Sequence, residues 1–202
     1  MNASQRKLAE GVLYTDMYEL TMAQLYFRMG MHEMNAHFEH FFRNYPDYGS
    51  HQAGYCINAG LEWFADWVQE ACFGDAEIEC LRNQKQRSGK PMFDDDFLGW
   101  LGQQCLRDHF TIQAVPEGRV VHPNVPLTVV QGPLALAQIM ESSLLNRINF
   151  QTLIATKAAR VREAGCRRMM IEFGLRRAQD RGGNAGTRAA LIGGADFSSN
   201  TG

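Results

Sequence analysis

The chain has little excess of either charge: 20 lysine and arginine residues stand against 22 aspartate and glutamate residues, a formal net charge of −2. Bulk charge therefore predicts neither nucleic acid nor an anionic membrane as a partner. No apolar run approaches the roughly 18 to 20 residues that cross a bilayer. No apolar stretch follows Arg6 and Lys7, as a secretion signal would require. We therefore expect a cytoplasmic protein without a membrane partner.

Several short catalytic and metal-binding motifs are also missing. The sequence contains no Cys-x-x-Cys pair, no P-loop, no Gly-x-Gly-x-x-Gly turn and no serine elbow. Neither a zinc knuckle nor a thioredoxin-type motif is therefore supported. The five cysteines are odd in number and widely spaced. This pattern predicts reduced thiols packed as small apolar residues.

The composition that remains is that of an ordinary globular protein. The chain has 202 residues, of which 45% are hydrophobic and 21% charged, enough to bury a real core in one large domain or two small ones. Apolar periodicity predicts helices over residues 14–30, 59–74 and 96–108, the first with Thr15 or Asp16 as its N-cap. Alternation predicts a strand over 35–44 and three short β runs within 110–132, and the polar stretch 81–96 reads as a loop.

From Gly132 a long helical pattern begins, which Pro133 opens and Gly165 closes. Few globular helices run so long, so we predict two helices broken near residues 146–149. A strand over 167–174, a short helix or turn over 187–194 and a second strand over 195–200 follow. A strand, a crossover and another strand predict a parallel βα arrangement, and hence an α/β fold class.

Two groups of residues resemble metal ligands. His37, Glu39 and His40 lie close in sequence, but strand alternation places the two histidines on opposite faces. The run Asp94 to Asp96 precedes a helix pattern, which favours an exposed N-cap with favourable dipole charge over a bound divalent ion. We therefore predict no metal ligand in the chain.

Two further features, an arginine pair and a tyrosine, can be interpreted either as structural or as functional residues. Arg176 and Arg177 follow the apolar stretch 169–174, which reads as a buried strand. They form either a solvated strand end or a cationic anchor at the carboxyl edge of a sheet, where a guanidinium grips carboxylate or phosphate. Tyr18, beside Asp16 in the first predicted helix, is by pattern alone an ordinary packing residue.

Six segments, in sequence order, carry a resemblance to a known family: "YTDMYELTMAQLYF", "FFRN", "AGLEWF", "VPEGRVVHPNVPLTVVQGPLALAQIMESSLLNRINFQTLIATKAAR", "EFGLRRAQ" and "GGADFSSN". Together they resemble nicotinate phosphoribosyltransferases over nearly the whole chain from Tyr14. The related nicotinamide and quinolinate enzymes share the fold class, but these segments are most similar to the nicotinate branch.

The resemblance implies a fold and an activity. The family transfers a phosphoribosyl group from phosphoribosyl pyrophosphate to nicotinate on the route to NAD, coupled to ATP hydrolysis, with the active site at a homodimer interface. The implied fold is type II phosphoribosyltransferase-like, with an α+β N-terminal domain over residues 1–131 and a helical linker plus the first strands of an irregular α/β barrel over 132–202. By motif position, Tyr18 would stack on nicotinate and Arg176 would line the same site. Mg²⁺ would enter with the phosphates, since it prefers phosphate oxygens and water.

The sequence departs from this family in one respect. The family's phosphorylated histidine follows the "SSN" strand, whereas this sequence has no histidine after His122 and stops two residues after Asn200. We therefore expect a truncated chain with no catalytic residue of its own, inactive alone. The alternatives are a non-catalytic fragment that only dimerises with a full-length partner, and a relative that uses nicotinamide.

Overall fold

The computed structural model describes residues 2–166 and 168–200, and within these ranges it contains seven α-helices and seven short strands. The helices are Ala3–Glu10 (α1), Met17–Arg28 (α2), Leu61–Glu70 (α3), Asp75–Arg82 (α4), Asp95–Leu101 (α5), Leu134–Ala164 (α6) and Gly182–Ile192 (α7). The strands are Asn35–His40 (β1), Cys56–Ile57 (β2), Thr111–Ala114 (β3), Val120–Val121 (β4), Thr128–Pro133 (β5), Ile171–Glu172 (β6) and Phe197–Ser198 (β7).

The described strands form three small sheets. Three strands lie in the order β1-β5-β3, β2 pairs with β4 in antiparallel fashion, and β6 pairs with β7 in parallel fashion. The parallel pair is the βα arrangement that the sequence predicts, because α7 connects β6 to β7. None of the helices in the described part of the chain is long and apolar enough to cross a membrane.

The chain divides into two compact units, each assembled from three segments. Unit 1 comprises Met1–Phe38, Ala65–Ile112 and Val130–Leu144, and unit 2 comprises Glu39–Phe64, Gln113–Val129 and Leu145–Gly202. The predicted boundary between residues 131 and 132 falls inside β5 and stays a prediction.

Unit 1 is built around aromatic side chains on α2 and α5. The ring of Phe27 lies 5.7 Å from that of Phe97 and 5.6 Å from that of Trp100, between ring centroids. Such tilted and edge-on pairs stabilise a core beyond the area they bury. Asp94 is the N-cap residue of α5, as predicted, and its carboxylate accepts a hydrogen bond from Nε of Arg28 at 2.6 Å.

Unit 2 contains a close crossing of α6 and α7 through small residues. Ala155 on α6 and Ala189 on α7 are both fully buried in one cluster. A Cβ on Gly193 would lie 2.3 Å from the carbonyl oxygen of Ala155, so glycine is required for this approach. The two helices therefore pack at near backbone contact in unit 2.

A charged clamp holds α7 within the same unit. The guanidinium of Arg188 donates to Oε1 of Glu117 at 2.9 Å and to Oε2 at 2.5 Å. Oε1 of Glu117 also accepts from the backbone amides of Gly60 at 2.5 Å and Leu61 at 2.9 Å, at the start of α3. Burial raises the pKa of the Glu117 carboxyl, but the hydrogen bonds from Arg188 and these amides outweigh it, so the net pKa is lowered.

The predicted break within the long helical pattern is wrong. Residues Leu134–Ala164 form one continuous helix of 31 residues. The segment contains no glycine or proline. The asparagines at 146 and 149 lower helix propensity by only a few tenths of a kcal/mol, roughly, which burial of Ile148 and Gln151 offsets.

The cysteine prediction is wrong for one pair. Cys72 and Cys105 form a disulfide, while Cys56, Cys80 and Cys166 are free thiols. The two bonded cysteines lie 33 residues apart and face each other across an isolated antiparallel bridge. Spacing along the chain carries no trace of such a pairing, because it depends on how the segments after α3 and α5 meet.

The strand before the two arginines is shorter and more exposed than predicted. The predicted range 167–174 contains only the two-residue strand β6, and Arg167 lies outside the described residues. Met169, Ile171 and Phe173 are 70%, 50% and 56% exposed, so the stretch is not buried. Helix α7 packs against the pair β6–β7, and alternation turns these three side chains to the open face.

Candidate functional site

Tyr18 lies in the first turn of α2 in unit 1, with about half of its surface (49%) exposed. Its hydroxyl group donates to Oε1 of Glu141 at 3.5 Å. The neighbouring carboxylate of Glu19 is the main cause of a pKa for Tyr18 well above its ordinary value, and burial, Glu141 and Asp16 add to it. The phenol therefore stays neutral, and its ring presents an open aromatic face.

A network of hydrogen bonds beneath Tyr18 fixes the start of α2 against the first part of α6. Glu19 is fully buried, its carboxylate accepts a hydrogen bond from the side-chain amide of Gln138, and Oγ of Ser142 lies 3.5 Å from its Oε1. Ser142 also donates to Oδ2 of Asp16 at 2.8 Å, and Thr15 donates to the carbonyl of Ile139 at 2.8 Å. The position of Tyr18 therefore depends on buried contacts of its neighbours.

Burial raises the pKa of Glu19, and this predicts a pH-dependent stability. A carboxyl whose folded-state pKa lies above its ordinary value of 4.5 stabilises the fold when protonated, and this contribution is lost as pH rises through the folded-state pKa. We expect Glu19→Gln to be more stable than the parent at pH 8 by about 1 kcal/mol, or about 2–4 °C in Tm, with a smaller difference at pH 5. Thermal unfolding at both pH values measures this.

The matched control for this experiment is Glu70→Gln, which removes an exposed carboxylate from α3. We expect its Tm to follow that of the parent at both pH values. An equal difference for Glu19→Gln at pH 5 and pH 8 would show that the buried carboxyl does not titrate as described.

Arg176 lies in unit 2, in a 3₁₀ turn formed by Leu175–Arg177 directly after β6. The side chain is exposed, and the central guanidinium carbon lies 5.6 Å from the centroid of the Phe173 ring. Among the residues that the structure describes, Arg176 has no salt bridge. Its charge is therefore available to an anion at the carboxyl end of the parallel pair.

A polar cluster surrounds this turn. Glu172, the last residue of β6, accepts hydrogen bonds from Thr187 on α7 and Ser198 on β7, each at 3.1 Å. The side-chain amide of Asn200 donates to Oδ1 of Asn184 at 3.1 Å. The carboxyl edge of β6–β7 thus carries two exposed arginines, Arg176 beside an aromatic ring and Arg177 next to it, and a set of satisfied polar groups.

The two predicted site residues, Tyr18 and Arg176, lie in different units of the chain. Phe173 and Glu172 were not among the predicted site residues, although both lie in the segment "EFGLRRAQ". Alternation of Met169, Ile171 and Phe173 was available as a signal, because it places the three on one face of a strand. The hydrogen bonds of Glu172 could not be predicted from the local sequence, because its side-chain partners lie 15 and 26 residues further along the chain.

The two groups that resembled metal ligands can also be placed. His37 is exposed and His40 half-buried in the alternating pattern of β1, which agrees with opposite faces. Asp94 and Asp95 form ion pairs with Arg28 and Arg82. Across residues 2–166 and 168–200, no three His, Cys, Asp or Glu side chains are grouped so as to hold a metal ion.

Comparison with known proteins identifies similar sequences and structures. Residues 13–149 match the family model described as the nicotinate phosphoribosyltransferase (NAPRTase) N-terminal domain. The chain is 40% identical over 190 residues to nicotinate phosphoribosyltransferase of Caenorhabditis elegans and 38% identical over 189 residues to that of Bacillus subtilis. Each match covers 93% of this chain but only 32% and 36% of the relative, so the chain spans about a third of their length.

A solved structure of the same family is also similar to this chain. The crystal structure of human nicotinic acid phosphoribosyltransferase superposes with a TM-score of 0.78 at 36% sequence identity. The superposition covers 92% of this chain and 36% of the human chain. The mixed helix and strand fold is therefore that of the N-terminal α+β region of a type II phosphoribosyltransferase, as the resemblance predicted.

Proposed function

The chain belongs to the nicotinate phosphoribosyltransferase family, and from this premise we propose that its protein transfers a phosphoribosyl group from phosphoribosyl pyrophosphate to the ring nitrogen of nicotinate. The bond from the sugar carbon to pyrophosphate breaks, and the bond from that carbon to nitrogen forms. The products are nicotinate mononucleotide and pyrophosphate, in NAD biosynthesis.

One observation carries this proposal for the chain's own residues. Arg176 is an exposed guanidinium without a salt bridge in the described residues, on the turn that leaves a parallel strand. Nicotinate and phosphoribosyl pyrophosphate are both anions, and a planar guanidinium can bind a carboxylate or phosphate through two parallel hydrogen bonds. We assign to Arg176 the binding of one of these anionic groups.

Tyr18 supplies the aromatic group in the proposal. Its ring is half exposed and its hydroxyl neutral, so the ring face is free to stack on a flat heteroaromatic ring. The negative charges of the nearby Asp16 and Glu141 carboxylates repel an anionic group of a ligand. We therefore assign to Tyr18 the ring of nicotinate rather than its carboxylate.

Four further features of the proposal come from the family alone. They are coupled ATP hydrolysis, a homodimeric protein, a cytoplasmic location, and a division into domains at residues 131 and 132. Mg²⁺ would enter as the counter-ion of phosphoribosyl pyrophosphate and ATP and would neutralise their phosphates.

Product formation tests the proposal. The protein encoded by the complete gene, rather than the 202-residue chain that we expect to be inactive alone, is incubated with labelled nicotinate, phosphoribosyl pyrophosphate and Mg²⁺, and nicotinate mononucleotide is separated by chromatography. We expect product from nicotinate, more of it with ATP, and none from nicotinamide in a parallel reaction. Product from nicotinamide in place of nicotinate would reassign the substrate, and no product from either would contradict the proposal.

A further inference from the structure

The parallel pair β6–β7 ends in a carboxylate. Ile171 pairs with Phe197 and Glu172 with Ser198, so the carboxyl ends of both strands meet at one edge. Glu172 is the last residue of β6, and Arg176 follows four residues later. Glu172 therefore lies between the sheet and the turn that carries the proposed substrate-binding cation.

The carboxylate of Glu172 joins three separate elements. Oε1 accepts a hydrogen bond from the backbone amide of Gly174, at the start of the turn. Oε2 accepts from Oγ1 of Thr187 on α7 and from Oγ of Ser198 on β7, each at 3.1 Å. All three donors are neutral, and none belongs to Arg176. The half-buried carboxylate is thus satisfied without neutralising the nearby guanidinium.

Two close approaches fix the turn around this carboxylate. A Cβ on Gly174 would lie 2.7 Å from Oε1 of Glu172, so a glycine there lets the carboxylate reach the backbone amide. A Cβ on Gly183 would lie 2.6 Å from Cδ1 of Leu175, so the turn also packs directly onto the first turn of α7. The clamp of Arg188 on Glu117 in turn holds α7 in unit 2.

We propose that Glu172 is a positioning residue, whose carboxylate fixes the turn Gly174–Arg177 against β7 and α7 and so fixes the guanidinium of Arg176 where it binds the anionic substrate. This inference rests on the proposed function, since it deepens the role of Arg176. Without the carboxylate, the amide of Gly174 and the hydroxyls of Thr187 and Ser198 lose a common acceptor, and the turn is free to move.

The inference distinguishes three substitutions. Glu172→Ala removes every acceptor. Glu172→Gln keeps an oxygen for the amide of Gly174 and has an NH₂ group that can donate to a hydroxyl, so it should rescue the turn. Thr187→Val keeps the volume of a buried side chain and removes one donor, so its effect should lie between the other two.

The first measurement is hydrogen exchange of the intact protein, which requires no activity. The amide of Arg177 donates to the carbonyl of Gly174 at 2.8 Å, and that of Ala178 does so at 3.1 Å. We expect these amides and that of Gly174 to exchange about tenfold faster in Glu172→Ala and near the parent rate in Glu172→Gln. The control Glu70→Ala, which removes an exposed carboxylate in unit 1, should leave them unchanged.

The second measurement is the KM for nicotinate and for phosphoribosyl pyrophosphate. We expect Glu172→Ala to raise the KM of whichever substrate Arg176→Ala affects, by about tenfold, with a smaller change in kcat. The double variant should be no worse than Arg176→Ala alone, because both changes remove one interaction. The Gln variant should stay within about threefold of the parent KM.

The outcomes separate this inference from the proposed function. Unchanged amide exchange in Glu172→Ala overturns the inference. Faster exchange in Glu172→Ala also overturns it if the KM stays unchanged in this variant while Arg176→Ala raises the KM. An additive double variant also overturns it, since Glu172 would then act independently of Arg176. If Arg176→Ala leaves both KM values unchanged, the assigned role of Arg176 is what fails, and the exchange data still decide whether Glu172 holds the turn.

Discussion

Arg176→Ala is expected to lower kcat/KM for nicotinate phosphoribosyl transfer about 100-fold, mainly through a higher KM for one anionic substrate. Loss of a bidentate charged hydrogen bond costs about 2–3 kcal/mol, which corresponds to roughly 30- to 150-fold. The structure places no salt bridge on Arg176 within residues 2–166 and 168–200, so the substitution breaks no ion pair there. Its effect on folding should therefore be small. Initial rates with each substrate varied in turn measure the prediction.

Two variants make the result specific. Arg176→Lys keeps the charge but not the planar fork, so it should recover only part of the loss. Arg177→Ala removes the adjacent exposed arginine, and we expect its kinetics to stay within about threefold of the parent. Equal losses for the two alanine variants would indicate a general surface charge effect, and unchanged kinetics for Arg176→Ala would remove it from the site.

The same experiment identifies the group that Arg176 binds. A higher KM for nicotinate alone assigns the guanidinium to the ring carboxylate. A higher KM for phosphoribosyl pyrophosphate alone assigns it to a phosphate. The ring of Phe173 lies 5.6 Å from the guanidinium carbon, so a planar ligand could share the cation with this aromatic face.

Local signals were sufficient for the elements that sequence analysis predicted well. Helix α2 has a polar N-cap residue, an apolar stripe and a glycine soon after its end, and its predicted range of 14–30 contains the observed Met17–Arg28. The alternating strand β1 and the three β runs predicted within 110–132 likewise follow side-chain periodicity, although β5 continues to Pro133, which was predicted to open the helix. In these segments burial and local propensity favour the same structure.

Contacts between distant segments explain the errors. Helix α4 was not predicted because its sequence, DAEIECLR, is only eight residues long and half charged, so Ile78 and Leu81 give too short an apolar pattern to detect. Helix α7 begins at Gly182, before its predicted start. Its two opening glycines have poor helix propensity, but Gly182 allows close contact with Phe150 and Gly183 with Leu175. The exposure of the strand before Arg176 likewise depends on which face α7 covers, and an apolar run does not carry that information.

In the candidate site, too, some residues could be predicted from local sequence and others only from contacts between distant segments. Tyr18 and Arg176 were identified because each stands in a segment that resembles a family motif, and their roles remain proposals. Glu172 stands in the same segment as Arg176, yet its importance appears only when Thr187 and Ser198 are brought beside it. Residues that position others are therefore the part of a site that a single sequence predicts least well.

Gly60→Ala is expected to destabilise unit 2 by about 3–5 kcal/mol, a large fraction of the roughly 5–15 kcal/mol that stabilises a domain. Gly60 has a φ of +105°, and its Cβ would lie 2.5 Å from the carbonyl oxygen of Arg147 and 2.9 Å from Cα of Ile148. Both atoms belong to the backbone of α6, which cannot turn aside as a side chain can. Moving Gly60 instead would weaken the hydrogen bond from its amide to Glu117.

Two other glycines of unit 2 separate the cost of the strained backbone conformation from the cost of the steric clash. Gly49 has a φ of +81° with nothing within 4 Å of a Cβ, so Gly49→Ala should cost only the conformational strain, about 1 kcal/mol. Gly193 has an ordinary φ of −74° but a Cβ would meet Ala155, so Gly193→Ala isolates the steric clash. Urea unfolding of the three variants measures each cost, and a loss for Gly60→Ala no greater than that for Gly49→Ala would contradict the close approach to α6. Conformational strain and the steric clash act together at Gly60. We therefore expect Gly60→Ala to lose more stability than Gly49→Ala, by about the cost of the clash alone, roughly 2 kcal/mol or more.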